Sequence, residues 1–305
     1  MGVFEIAGPA EAMFRAWSVA AAYELGMFDA LARPRTQGEL CAAIGIEAGV
    51  HRVHALARAL VHIGVLAREG DRIVLGDVPE RPEVVREGWG RLAEVIRTNQ
   101  PLSIGPDVRG YHEHLLRAGA ETARELAPLL RPGRLLDLGG GAGAYTAAVL
   151  DAHPAATCTL VDAADVIALA HEHLARFGDR VRLVAGDART APIGEGHTTA
   201  LLANVMHLHD PATCAELCAV AARAVAPGGT VVVLDFDAAS PEGVWFAVVM
   251  ALYTEGGGVY PTSQLRAWLA DAGLADLVEH RPSAAPAVTV IVGTRVDVLS
   301  PRDEQ

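Results

Sequence analysis

The sequence predicts an α/β protein: a doubly wound, mostly parallel sheet of seven strands, preceded by a mainly helical N-terminal domain. Three observations carry that prediction. From Arg134 onward, short apolar runs alternate with segments of helical period, the pattern of a parallel sheet covered on both faces. The stretch LLDLGGGAGAY (135–145) reads as an apolar strand entering a glycine-rich turn and then a helix. The first 80 residues instead read as three helices and a hairpin, a winged-helix pattern.

Residues 9–32 repeat Phe14, Trp17, Ala21, Leu25 and Phe28 at helical steps. Thr36 and Glu39 fit a capping box opening a helix that ends near Gly45. A further helix runs from about Val50 to Ile63 and stops at Gly64. VLAREGDRIVLGD then reads as two short strands around Gly70-Asp71. Residues 83–130 read as mostly helical, with breaks at Pro101, Gly105-Pro106 and Gly110. Strands are predicted at 134–137, 157–161, 181–185, 199–204 and 230–235, with helices at about 143–152, 164–176 and 211–225 between them. Helices near 243–254 and 262–273 follow, then a hairpin of 277–280 and 288–294, and a polar, frayed tail at 298–305. The expected organisation is therefore 1–80 as winged-helix-like domain, 81–130 as helical linker and pocket segment, and 131–296 as the sheet domain.

A chain of 305 residues with formal charge −12 repels phosphate backbones and anionic membranes, so neither nucleic acid nor membrane is expected as partner. All 25 basic residues are arginine, which excludes Schiff-base lysine chemistry and a P-loop. The four cysteines form no CxxC pair and read as buried thiols of a reducing compartment. The N-terminus does not read as a secretory signal, and segment 16–23 is too short to span a bilayer, so a cytoplasmic protein is expected.

Gly139, Gly141 and Ala144 satisfy the dinucleotide fingerprint formally, but the acids around the turn point elsewhere. Asp137 ends its strand two residues before Gly139, a poor neighbour for pyrophosphate and a good one for a cation. Asp162, 25 residues on, ends the second strand, where an acid holds both ribose hydroxyls. Asp187, 25 residues further, suits the amino edge of an adenine. Three carboxylates at consecutive strand ends describe a positively charged nucleoside without phosphate, and S-adenosylmethionine is such a ligand.

These motifs, DLGGGAGAY, LVDAADVIALA, VAGDARTAPI, LANVMHLHD and APGGTVVVLDF, resemble in order those of class I S-adenosylmethionine-dependent methyltransferases. The likeness is closer still to small-molecule O-methyltransferases of the caffeate O-methyltransferase type, which include bacterial natural-product enzymes. It spans about residues 12–294. It implies a winged-helix dimerisation domain, a homodimer and O-methylation of a small aromatic or polyketide-like acceptor. It also implies that Gly139, Gly141 and Gly143 approach the methionine part, Asp162 the ribose and Asp187 the adenine. Ala188 and Asn204 complete the expected cofactor set.

Methyl transfer from a sulfonium needs an aligned acceptor that loses a proton, a task suited to neutral histidine. In ANVMHLHDPAT, His207 and His209 follow a strand and precede the helix begun by Asp210-Pro211. The resemblance implies that His207 is the general base, although the usual His-Asp-Trp here reads His-Leu-His. The acid that orients the base in that family has no counterpart in GGGVYPTSQL, and Asp235 at a strand end is the expected substitute. Trp245, Met250 and Tyr253 share a helix that faces substrate in the resembling family, and His112 joins them as a substrate candidate. Alternative readings are C-methylation, a divalent metal held by His207, His209, Asp210 and the His112/His114 pair, or a family member using the cofactor structurally. No metal is assigned. A DNA-binding regulator is disfavoured because VHRVHALARALVHIG carries only two arginines and an apolar face fitted to another protein chain.

Overall fold

In the computed structural model, residues 9–85, 87–103, 107–131 and 133–296 are described. The chain starts with helices α1 (Pro9–Glu24) and α2 (Met27–Ala30), strand β1 (Arg35–Thr36), and helices α3 (Gln37–Ala43) and α4 (Val50–His62). Strands β2 (Leu66–Glu69) and β3 (Arg72–Leu75) and helix α5 (Leu92–Thr98) follow. The helix expected over 9–32 is two helices, because Gly26 takes a left-handed φ of 70° between them. The capping box is present: Thr36 Oγ1 accepts from the Glu39 amide, and Glu39 Oε2 accepts from the Thr36 amide. β1, β3 and β2 form an antiparallel sheet in that order, with Leu66 opposite Leu75 and Arg35 opposite Ile73.

Helix α6 (Val108–Leu126) leads to β4 (Arg134–Leu138), α7 (Ala144–Ala152), β5 (Thr157–Asp162), α8 (Ala164–Leu174), β6 (Val181–Ala185), β7 (His197–Ala203), α9 (Pro211–Ala224) and β8 (Val225–Phe236). Then come α10 (Pro241–Tyr253), α11 (Thr262–Asp271), β9 (Leu274–His280) and β10 (Val288–Arg295). Gly110 does not break the chain; it lies in the first turn of α6, and its amide donates to the Asp107 carboxylate that caps the helix. The Gly105-Pro106 break and the tail 298–305 lie outside the described residues.

The chain divides into two units that do not follow one cut in sequence. One takes the chain up to Ile104 with His207–Asp210 and Phe236–Val259; the other takes Gly105–Met206, Pro211–Asp235 and Tyr260 onward. The first unit is built around α4 and α10. From Gly243 to Leu252 every residue of α10 is buried, as an all-round apolar helix requires. Val53, Leu56 and Leu60 of α4 share that core with Trp245, Phe246 and Val249. The apolar face of α4, expected to meet another protein chain, is thus covered within this one. Arg52, fully buried, staples the packing: its guanidinium donates to Asn99 Oδ1 at 2.8 Å and to the carbonyls of Ala251 and Glu255. Ala251 lies in the last turn of α10, whose carbonyls lack intrahelical partners and favour a cation.

The second unit is the seven-stranded sheet, in order β6-β5-β4-β7-β8-β10-β9. β6, β5, β4, β7 and β8 pair in parallel, and β9 pairs antiparallel with β10. Leu136, Leu138, Leu202, Val231 and Val233 bury with Leu217 of α9 and Trp268 of α11. Leu135, Leu201, Val232 and Leu234 bury on the other face with Leu126, Val149 and Leu174 of α6, α7 and α8. Alternate residues of each strand therefore serve opposite layers. Chain order reverses between β4 and β7, and open sheets bind ligands in the crevice beyond the strand ends at such a switch point.

Candidate active site

The turn after β4 sits at that switch point. Gly139 (φ 69°) and Gly143 (φ 91°) are left-handed, and an added Cβ would lie 2.7 Å from Val205 and from Leu174 respectively. These two glycines serve the chain's own packing. Gly141 (φ 58°) has only the His112 ring near its missing Cβ, at 3.7 Å, so it is the glycine that leaves room for a ligand.

Asp137 is not the last residue of its strand. It is the penultimate residue of β4 and is 1% exposed. Thr146 Oγ1 donates to Asp137 Oδ2 at 2.6 Å, while Oδ1 has no partner among the described residues. Burial pushes this carboxyl up to about 6; the Thr146 hydrogen bond opposes that rise and the nearby Asp162 adds to it. An orphaned, buried carboxylate oxygen under a glycine turn fits the ammonium of an amino-acid group. Asp162 ends β5, and both its oxygens are held by backbone amides: Oδ2 by Gly141 and Oδ1 by Ala163, each at 2.7 Å. That pins the carboxylate group beside the turn with lone pairs left for a diol. These donor and acceptor types fit S-adenosylmethionine.

Asp187 lies two residues beyond β6 and is gripped by Arg189, with Nη2 at 2.5 Å from Oδ2 and Nε at 3.0 Å from Oδ1. Arg189 is a neighbour that the run of acids did not announce. Ala188 packs half-buried beside this pair, against the sheet core. Asn204, just past β7, adopts a left-handed φ of 57°, and its side-chain amide donates to the Tyr145 hydroxyl at 3.4 Å. Sequence reading missed Tyr145 and Thr146; their position in the first turn of α7, directly after the glycines, was the available signal. Asp235, next to last in β8, is 3% exposed. His112 of α6 faces Gly141 and lines a cavity of about 270 Å³ with Arg109, Leu116, Ala142, Leu169 and His173.

The first unit holds His207, 5% exposed, in a helical turn over Met206–Leu208. Its ring meets Phe246 edge-to-face at 4.8 Å and Phe236 at 6.4 Å. Its carbonyl accepts from the Gly258 amide, and Gly257 permits the approach, since a Cβ there would lie 2.3 Å from that oxygen. Trp245 and Met250 are buried and Tyr253 half-buried. Trp245 packs 6.0 Å from Phe14, its Nε1 without a partner among the described residues. Among the described residues, no three or more His, Cys, Asp or Glu side chains are grouped to hold a metal ion, and no helix is long and apolar enough to cross a membrane.

The fold and the donors and acceptors around the turn fit an α/β enzyme that binds a nucleoside with a cationic group. The O-methyltransferase domain family matches residues 110–273, more than half of the chain, and this chain belongs to it. It is a methyltransferase that uses S-adenosylmethionine. The chain is 28% identical to 3-hydroxy-5-methyl-1-naphthoate 3-O-methyltransferase of Streptomyces sahachiroi, over 94% of this chain and 93% of that one. It is 26% identical to the tetracenomycin polyketide synthesis 8-O-methyl transferase TcmO of Streptomyces glaucescens, over 87% and 89%. A crystal structure of an O-methyltransferase family 2 protein from Planctomyces limnophilus, in complex with apigenin, superposes with a TM-score of 0.77 at 26% identity, covering 93% of each chain.

Proposed function

We propose that this enzyme transfers a methyl group to a hydroxyl of a small planar aromatic or polyketide-like acceptor in natural-product biosynthesis, with His207 as general base. The observation that carries the reading is His207 itself: a titratable ring buried against Phe246 and Phe236, three residues beyond Asn204. The relatives' naphthoate, polyketide and apigenin ligands support a flat phenolic acceptor. Bound S-adenosylmethionine supplies an activated methyl on a sulfonium. Asp137 would hold its ammonium, Asp162 its ribose, and Asp187 with Ala188 its adenine, while Gly139, Gly141, Gly143 and Asn204 shape the seat. His207 accepts the acceptor's hydroxyl proton, and Asp235 is the second residue assigned to the catalytic set. Trp245, Met250 and Tyr253 wall the acceptor. Residues 1–80 act as a winged-helix dimerisation domain, 81–130 as linker and pocket segment and 131–296 as the catalytic domain of a cytoplasmic homodimer.

The test is His207→Ala with 1,3-dihydroxynaphthalene and related naphthols as probe acceptors. Turnover falls roughly 10²–10⁴-fold while S-adenosylhomocysteine affinity stays within twofold. Unchanged turnover removes His207 as base. Methyl carbon appearing on ring carbon in the product NMR spectrum replaces O-methylation by C-methylation.

A further inference from the structure

We infer that His112 is a cofactor-positioning residue, its imidazole Nδ1–H holding the α-carboxylate of the methionine moiety against Gly141. This rests on the cofactor seat described above. The methyl donor carries one anionic group, and the seat surrounds it with carboxylates: Asp137 beneath the turn, and Asp162 on the Gly141 amide. A carboxylate there requires a donor that no acid already occupies. The chain has no lysine. Arg109, along α6 from His112, spends its guanidinium on Glu172 in a two-point pair at 2.9 and 3.0 Å, and Arg189 spends its own on Asp187. His173 Nδ1 is taken up by the Ala142 carbonyl at 3.0 Å.

His112 differs from all of these. Its Nδ1 is buried, has no partner among the described residues, and lies 3.7 Å from the position of Gly141's missing Cβ. Burial pushes its pKa down, while Asp162 and Asp165 push the other way. His112 therefore reads the cofactor rather than the acceptor.

Calorimetry distinguishes the two. S-adenosylhomocysteine and 5′-deoxy-5′-(3-aminopropylthio)adenosine, its decarboxylated form, are titrated into the wild type, His112→Ala and His112→Asn. The expected result is a loss of about 10- to 100-fold in S-adenosylhomocysteine affinity for His112→Ala, with the decarboxylated ligand within twofold of wild type. His112→Asn, which places an amide donor near the same point, restores part of the loss. Retained affinity for S-adenosylhomocysteine, or an equal loss for both ligands, overturns the inference while leaving the cofactor assignment standing. Failure of the wild type to bind S-adenosylhomocysteine at all overturns both.

Discussion

Asp137 shows how much one side chain's surroundings decide. Read along the chain, it is an acid before a glycine turn; in the fold one of its oxygens is hydrogen-bonded and the other has no partner among the described residues, and its pKa is raised to about 6. The folded value exceeds the usual carboxylate value of 3.8, so the folded chain binds the extra proton between these pH values. Stability from this group is complete below about pH 4 and is lost as pH rises through about 6, a cost on the order of 3 kcal/mol at neutral pH. Asp137→Asn should therefore stabilise the ligand-free protein at pH 7.5, with the gain shrinking toward pH 4.5, as urea unfolding of both proteins at each pH reports. The cofactor's ammonium favours the ionised form. Binding near pH 5.5 should release a proton, seen as a dependence of calorimetric heat on buffer ionisation enthalpy, and Asp137→Asn should abolish that release. Buffer-independent heat in the wild type would remove Asp137 as the ammonium's partner.

At the scale of elements, the glycine turn separates into two kinds of glycine. Gly143→Ala combines a left-handed φ with a Cβ 2.7 Å from Leu174, and should cost about 2–4 kcal/mol in denaturant unfolding. Gly141→Ala meets only the His112 ring, so its stability cost should stay near 1 kcal/mol while S-adenosylhomocysteine affinity falls. Equal costs at both positions would contradict this division. The junction of α4 and α10 depends on Arg52 in the same concrete way. Arg52→Met leaves Asn99 Oδ1 and the carbonyls of Ala251 and Glu255 without this donor, at an expected cost of about 2–4 kcal/mol. Strand and helix placement was legible within a few residues because period-2 and period-3.6 patterns are local. The misreadings were local as well: Gly110 looks like a breaker by composition but lies in a first turn that Asp107 caps.

At the scale of the whole molecule, the proposed homodimer predicts elution in size-exclusion chromatography at twice the 31.9 kDa chain mass, and elution as a monomer would remove it. The alternation of strands and helices, the glycine turn and the 25-residue spacing of Asp137, Asp162 and Asp187 could be read along the chain, because each depends on neighbours a few residues away or on a strand–helix repeat. Position after a strand marked His207 and His209 alike, and the resemblance alone chose His207. Which buried groups meet one another emerged with the fold. It set His112 against Gly141 and Thr146 under Asp137, and it buried α10 beside α4 across a separation of 199 residues at Arg52 and Ala251. The physical reason is that hydrogen-bond partnership and desolvation belong to pairs of elements brought together by folding, and no pattern within one segment records its partner.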